Sequence, residues 1–275
     1  MDKKAKKEFI EKNEGMDKLR GRPIRLNRQS LEVKKDKNYA ELLFWGDIHW
    51  GYPTADLDKA KAMLDYALKK EIYVMLMGDL IECGLKDSIG DSMYRQKLHP
   101  QEQMETMIEV LTPIADAGLI VGMHCGNHEA RITKSTGIDI SKIMARILGV
   151  SYLGFSCWSL FSVNGTRYSI YSTHGVGGSK FKHTKLKTVI DQCAWINSDV
   201  LAQGHVHSIA CEPIIKQRFD ATKNRIVEDQ QYVCLTGSYM RWDNSYAQAG
   251  NMPITKLGSP KIKLQSDKRK VHSSM

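Results

Sequence analysis

An α/β fold is predicted, on three observations. Apolar runs of strand length alternate with longer stretches of helical spacing between residues 40 and 148. Asn164-Gly165 separates two alternating runs, the signal of a β-hairpin, so the second half turns antiparallel. Short groups of Asp, Asn and His stand where apolar runs end, and the carboxyl ends of strands are where an open parallel sheet gathers its ligands.

Taken in order, residues 40–45 read as a buried strand and 57–69 as an amphipathic helix with Leu57, Met63, Leu64, Ala67 and Leu68 near helical spacing. Residues 72–77 are a second strand. The polar stretch 84–99 reads as a loop or small insertion. Residues 100–117 have helical periodicity, with Met104, Met107, Ile108 and Leu111 on one face and Pro100 suited to the first turn. Residues 119–124 are a third strand and 138–148 a third helix. Strand, helix, strand, helix, strand implies a parallel sheet with right-handed crossovers. Beyond it, strands are expected at 158–163 and 167–172, a helix at 186–197, and strands at 200–203, 209–215 and 231–235. A turn or hairpin tip is expected within 220–229, and an edge strand at 260–264.

The length of 275 residues suits one large domain. The +9 charge is unevenly placed, because residues 1–37 carry 13 Lys+Arg against 7 Asp+Glu and residues 254–275 carry 6 against 1. We therefore divide the chain into a basic N-terminal extension (1–37, with helix expected around 6–18), a central domain (38–253) and a basic C-terminal segment (254–275). Such tails suit either a polyanion such as DNA or RNA, or plain solvation. Phe9 is the one aromatic residue among their charges, where a stacking platform requires several. No apolar run approaches the roughly 20 residues that span a bilayer, and the charged start is not a secretory signal. The six cysteines lack any Cys-x-x-Cys pair and are expected as reduced thiols, consistent with a cytoplasmic protein.

The chemistry lies in five fragments: Asp47-Ile48-His49, Gly78-Asp79-Leu80-Ile81-Glu82, Gly126-Asn127-His128-Glu129, Thr173-His174-Gly175 and Gly204-His205-Val206-His207. Histidines one residue apart at a strand end face opposite sides of the backbone, so His205 and His207 can serve two ions. Mixed Asp/His donors suit manganese, iron, zinc or nickel. Two ions about 3.5–4 Å apart need a shared ligand, for which Asp79 is the candidate, and the water between them is a hydroxide source for attack on phosphorus. A histidine on the far side, His128, can protonate the leaving oxygen.

In this order the fragments resemble the signature of the calcineurin-like metallophosphoesterase superfamily: D-x-H, GD-x-x-[DE], GNH[DE], a lone H, then GHxH. The match spans about residues 40–240. The resemblance implies an α/β fold of two packed mixed β-sheets flanked by helices, a four-layer metallophosphoesterase sandwich. It implies two divalent metal ions, with Mn²⁺ the leading choice and Fe²⁺, Zn²⁺ or Ni²⁺ open. Asp47, His49, Asp79 and His207 would hold one ion; Asp79, Asn127, His174 and His205 would hold the other, with His128 catalytic. The chain departs from serine/threonine phosphatases, which carry arginine after the second motif where this sequence has Cys83. The stretch from Glu129 to Thr133 does resemble the tail of their third motif, which makes Arg131 either a phosphate contact or a structural ion pair. The start at Asp47-Ile48-His49-Trp50-Gly51 is closer to DNA-repair nucleases and to phage or prokaryotic phosphodiesterases.

The expected activity is therefore hydrolysis of a phosphate ester through a two-metal-bridged hydroxide, on nucleic acid or nucleotides. A phosphomonoesterase and a non-catalytic metal-binding scaffold are the alternatives. Lys180 and Lys182, on the glycine-rich rim after His174, are candidate phosphate contacts. Glu82 and Glu129 either orient ligands by hydrogen bonds or are solvated in loops. His99, His124, His183 and His272 are expected to be ordinary packed or surface residues, and the methionines of the 100–117 helix to be core.

Overall fold

The computed structural model describes residues 25–33, 37–86, 88 and 91–274; the helix expected around residues 6–18 lies outside them. Two six-stranded mixed sheets pack face to face. In chain order the elements are β1 (Leu26–Leu31), β2 (Tyr39–Trp45), α1 (Leu57–Lys70), β3 (Tyr73–Leu76), α2 (Ser92–Arg95), α3 (Pro100–Asp116), β4 (Ile120–His124), α4 (Glu129–Thr136), α5 (Ile140–Leu148) and β5 (Tyr152–Gly154). There follow β6 (Ser156–Val163), β7 (Thr166–Thr173), α6 (Lys182–Gln192), β8 (Val200–Gln203), β9 (Ile209–Asp220), β10 (Arg225–Thr236), α7 (Tyr246–Ala249), β11 (Lys261–Gln265) and β12 (Val271–Ser274).

One sheet runs β12-β11-β2-β3-β4-β5 and the other β1-β6-β7-β8-β10-β9. Strands β2 to β5 pair in parallel, each joined to the next through helices. The period-2 alternation of side chains sorts the layers. On β2, Leu42 and Phe44 face the second sheet while Leu43 and Trp45 meet α1, α3 and α5. On β8, Val200 and Ala202 face inward while Leu201 packs with Val189 of α6. Helices thus cover both outer faces, which gives the four layers that the sequence implies.

Several boundaries differ from expectation. The hairpin turn at Asn164-Gly165 is present, both residues in the left-handed region. Strands β9 and β10 each run 12 residues rather than stopping at 215 and starting at 231. Their outer halves are exposed and held by cross-strand polar pairs such as Arg218 to Asp229 at 2.6 Å. Helix α6 begins and ends earlier than 186–197, and α4 was not anticipated. The strand expected at the edge (260–264) is interior, because β12 pairs outside it. Strands β1, β11 and β12 lie in segments set apart by charge, so the boundaries at 37 and 254 do not follow the sheets.

The expectation of six reduced cysteines is corrected at one pair. The β9–β10 register sets Cys211 directly opposite Cys234, and the two form a disulfide. The other four are buried free thiols. Among the described residues, no helix is long and apolar enough to cross a membrane.

Candidate metal centre

The parallel strands carry their motifs to one end of the molecule. Asp47 and His49 follow β2, Asp79 follows β3, and Asn127 and His128 follow β4; from the other sheet, His174 follows β7 and His205 and His207 follow β8. Tight backbone makes the convergence possible. Asp47, His49, Asp79, His205 and His207 all take positive φ, between 48° and 69°, a region costly for side chains other than glycine. Strained backbone clustered at a polar centre is a mark of functional sites. Gly126 has a steric reason to be glycine: a Cβ there would collide with Asp79 N and Oδ1.

Two groups of candidate ligands result. Asp47, His49 and His207 form one, and Asp79, His174 and His205 the other, the donor atoms within each lying within 4.8 Å of one another. His205 and His207 fall in different groups, as the sequence implies. The cause differs, since residues 204–208 have left the strand and the two left-handed conformations separate the rings. Asp79 lies between the groups: its Oδ2 is 3.2 Å from His174 Nε2 and 3.9 Å from His49 Nε2. Asn127 Oδ1 is 3.0 Å from His174 Nε2. Asp47 Oδ1 lies 3.4 Å from His207 Nε2, and its carboxylate accepts from the His205 backbone N–H at 3.0 and 3.1 Å.

Hydrogen bonds from outside the groups set the tautomers. His174 Nδ1–H donates to the Met77 carbonyl at 2.9 Å, so its Nε2 lone pair faces the oxygens of Asp79 and Asn127. Only a proton or a metal cation reconciles that geometry. Burial opposes the proton, yet the charges of Asp79 and Asp47 push the His174 pKa up to about 10. His49 Nδ1–H donates to Glu82 Oε2 at 3.1 Å, which aims its Nε2 at His207 Nε2, 2.9 Å away. Burial and the neighbouring His128 pull the His49 pKa down to about 4, so two imidazole nitrogens meet at a point that suits a cation. His205 Nδ1 is buried and has no hydrogen-bond partner among the described residues. An orphaned ring nitrogen, paired imidazoles and buried carboxylates form a donor set that fits divalent Mn, Fe, Zn or Ni.

Around these ligands stand two acids whose role the sequence left open. Glu82 is buried; although burial opposes ionisation, hydrogen bonds from His128 and His49 hold its pKa below the carboxylate range. Glu129 is fully buried and accepts four backbone N–H groups, those of Asp79, Leu80, Ile81 and Gly126, at 2.7–3.2 Å. Its carboxylate thereby ties the loop carrying Asp79 to the loop carrying Asn127. Outer partners of this kind orient metal ligands.

His128 hangs at the edge of the centre. Its Nδ1 lies 3.0 Å from the Glu82 carbonyl and 3.2 Å from Glu82 Oε2, and its Nε2 is 3.9 Å from Asp79 Oδ2. His49, Glu82 and His128 form a third cluster, but here the contacts are hydrogen bonds to Glu82 rather than vacant lone pairs. Burial lowers the His128 pKa; Asp79 and Glu82 overcome it and raise the pKa above its ordinary value. Arg131 Nη1 donates to the Glu82 carbonyl at 3.0 Å and to Oε1 at 3.3 Å, while Nη2 sits 3.1 Å from His128 Nε2. Arg131 is therefore an ion-pair partner at the rim of the centre. Lys180 Nζ donates to the Gly250 carbonyl at 2.6 Å, and Lys182 is exposed. His124 is packed in the core, bonded to the Gly154 carbonyl and Ser172 Oγ.

No motif or spacing marks Ser238, whose Oγ donates to the Asp47 carbonyl at 2.8 Å, or the wall built by Met240, Trp242 and Met252 beside His205 and His207. A small polar residue after a strand has no pattern to single it out.

A thermal test follows from the donor set. Added to chelated protein at 100 times its Kd, Mn²⁺ is expected to stabilise the fold by about 2.7 kcal/mol, raising Tm by roughly 5–10 °C. An unchanged Tm in titrations with Mn²⁺, Fe²⁺, Zn²⁺ and Ni²⁺ would contradict a metal centre.

No protein-family model matches the sequence, and no curated protein matches it. Among solved structures, the chain is similar to a metallophosphoesterase from Sphaerobacter thermophilus, with 14% identity, a TM-score of 0.37, and 86% of this chain and 87% of that one covered. A conserved uncharacterized protein from Streptococcus pneumoniae, named as a predicted phosphoesterase, aligns with 13% identity and a TM-score of 0.36 over 86% of this chain and 90% of its own. A single-substitution variant of Vps29 from Entamoeba histolytica aligns with 14% identity and a TM-score of 0.36 over 85% and 97%. In the order of its five motifs the chain resembles the signature of the calcineurin-like metallophosphoesterase superfamily.

Proposed function

We propose that the protein is a metal-dependent phosphoesterase with a two-metal centre, acting on phosphodiesters of nucleic acids or nucleotides. One observation carries this reading: side chains from four strand ends in two sheets meet as two adjacent ligand groups with Asp79 between them, and Asn127 reaches His174 from a fifth. Asp47, His49, His207 and Asp79 would hold one ion, and Asp79, Asn127, His174 and His205 the other. When bound, two divalent ions supply a nucleophilic hydroxide at neutral pH and neutralise charge on the phosphoryl group.

The chain's own residues supply the remainder. Glu82 holds His128 Nδ1, while Nε2 accepts from Arg131 Nη2 in this structure; once Arg131 turns to the substrate, a protonated Nε2 is placed to give its proton to the departing oxygen. The raised pKa of His128 favours the protonated form that this role needs. Arg131, one hydrogen bond from His128 Nε2, offers guanidinium N–H groups to a phosphoryl oxygen arriving there. Glu129 fixes the spacing of the Asp79 and Asn127 loops.

The test is hydrolysis of bis-p-nitrophenyl phosphate by the full chain with each of Mn²⁺, Fe²⁺, Zn²⁺ and Ni²⁺. Turnover is expected, with a higher kcat/KM than for the monoester p-nitrophenyl phosphate. Absence of turnover with every metal overturns the phosphoesterase reading, and a preference for the monoester overturns the diester part alone.

A further inference from the structure

Beside the ligand groups lies a cavity of about 220 Å³ whose wall includes both His205 and His207. Facing them are Met240, Trp242, Met252 and Pro253, together with Lys185. This wall is unlike the carboxylate and imidazole centre it adjoins, being an indole, two thioethers and a proline ring around one ammonium. It is also fastened. Trp242 Nε1 donates to the Met252 carbonyl at 2.8 Å, and Lys180 Nζ ties the Gly250 carbonyl to the glycine-rich segment opposite. Lys185 is half-buried and donates to Ser208 Oγ at 3.3 Å, one residue past the Gly-His-Val-His motif.

We propose that this cavity is the base subsite: it takes the nucleobase of a nucleotidyl phosphodiester whose phosphorus lies at the metal centre, with Lys185 turned to the substrate's anionic backbone. The inference rests on the phosphoesterase reading and adds the place where the base of such a substrate binds. A planar aromatic ring is the group that an indole face and flanking thioethers recognise together, through stacking and sulfur–ring contacts. Stacking of a base on an aromatic side chain tolerates any base, since each presents a π-face. The volume is below the roughly 300–1,000 Å³ of sites that enclose drug-sized ligands, so it suits one ring system with its sugar. The cation beside the apolar wall matches a ligand that carries phosphate next to an aromatic ring.

The experiment compares two diesters with the same leaving group, the p-nitrophenyl ester of thymidine 5′-monophosphate and methyl p-nitrophenyl phosphate, on the Mn²⁺-loaded full chain. The thymidine ester is expected to show a KM about tenfold lower than the methyl ester. Trp242→Ala is expected to raise KM for the thymidine ester by about tenfold while leaving kcat and KM for the methyl ester unchanged. Met252→Ala keeps the backbone carbonyl that Trp242 bonds, so it tests the wall even where Trp242→Ala does not fold; a rise of about threefold on the thymidine ester alone is expected. Equal KM values for the two esters in the unaltered protein overturn the proposal. So do equal losses on both esters in the variants, which would mean a structural role or a nitrophenyl ring in the cavity. Absence of hydrolysis of both esters in the unaltered protein is instead the failure of the phosphoesterase reading, and hydrolysis of the thymidine ester alone supports the subsite.

Discussion

Replacing His128 by alanine is expected to lower kcat on a diester by about 10²–10⁴-fold, the usual contribution of a positioned general acid, while metal content and KM stay within about twofold. The geometry separates these readouts. His128 is anchored through Nδ1 to Glu82, and the nearest ligand oxygen to its Nε2 is 3.9 Å away on Asp79. The two ligand groups are complete without it. His128→Gln keeps a donor of similar reach but cannot transfer a proton, so it should fall close to alanine in kcat. Leaving-group dependence gives the sharpest check. With p-nitrophenolate, which departs without protonation, the loss should be small; with an alkoxide leaving group it should be at its full size. Equal losses on both leaving groups, or loss of bound metal, would remove His128 from the proton-transfer role and make it a support for Glu82.

How much of this could be read from the sequence depends on the kind of signal. The parallel half was legible because β2, β3 and β4 are short apolar runs between amphipathic helices, and their alternation specifies both neighbours and crossovers. The candidate ligands were legible because each motif ends such a run, and the topology brings those ends together. The long β9–β10 ribbon was not. Its outer residues contact solvent on both faces, so no apolar alternation marks them, and their pairing follows only from continuation of the inner ladder. Helix α4 was hidden for a related reason: Glu129, Arg131, Thr133 and Lys134 read as a polar loop, and what shapes the helix is Glu129 turning inward to backbone donors. The disulfide required the register of β9 on β10, which cysteine spacing alone does not contain. The Met240–Trp242 wall depends on chain segments far from Gly204 folding back over it, and local pattern carries no record of that.

Glu129→Ala is expected to be the most destabilising single change at the centre, by about 3–5 kcal/mol. Four backbone N–H groups, from Asp79, Leu80, Ile81 and Gly126, end on this one carboxylate. Each buried donor left without an acceptor costs about 1–3 kcal/mol. Water entering the space of the lost side chain offsets part of the sum, which keeps the figure below four full penalties. At roughly 2–4 °C per kcal/mol for domains approaching this size, Tm should fall by about 10 °C or more. Glu129→Gln separates packing from acceptor count. Its carbonyl oxygen can still serve Leu80 and Ile81, but its amide would point N–H groups at the Asp79 and Gly126 donors, so about half the loss should remain. Because Asp79 sits at positive φ in the loop that Glu129 holds, metal affinity should fall along with stability, by the 10–100-fold typical of lost outer partners. A Glu129→Ala protein with unchanged Tm and unchanged metal affinity would show that the loop keeps its shape without the carboxylate, and that the strain at Asp47, His49 and Asp79 is held by the sheets alone.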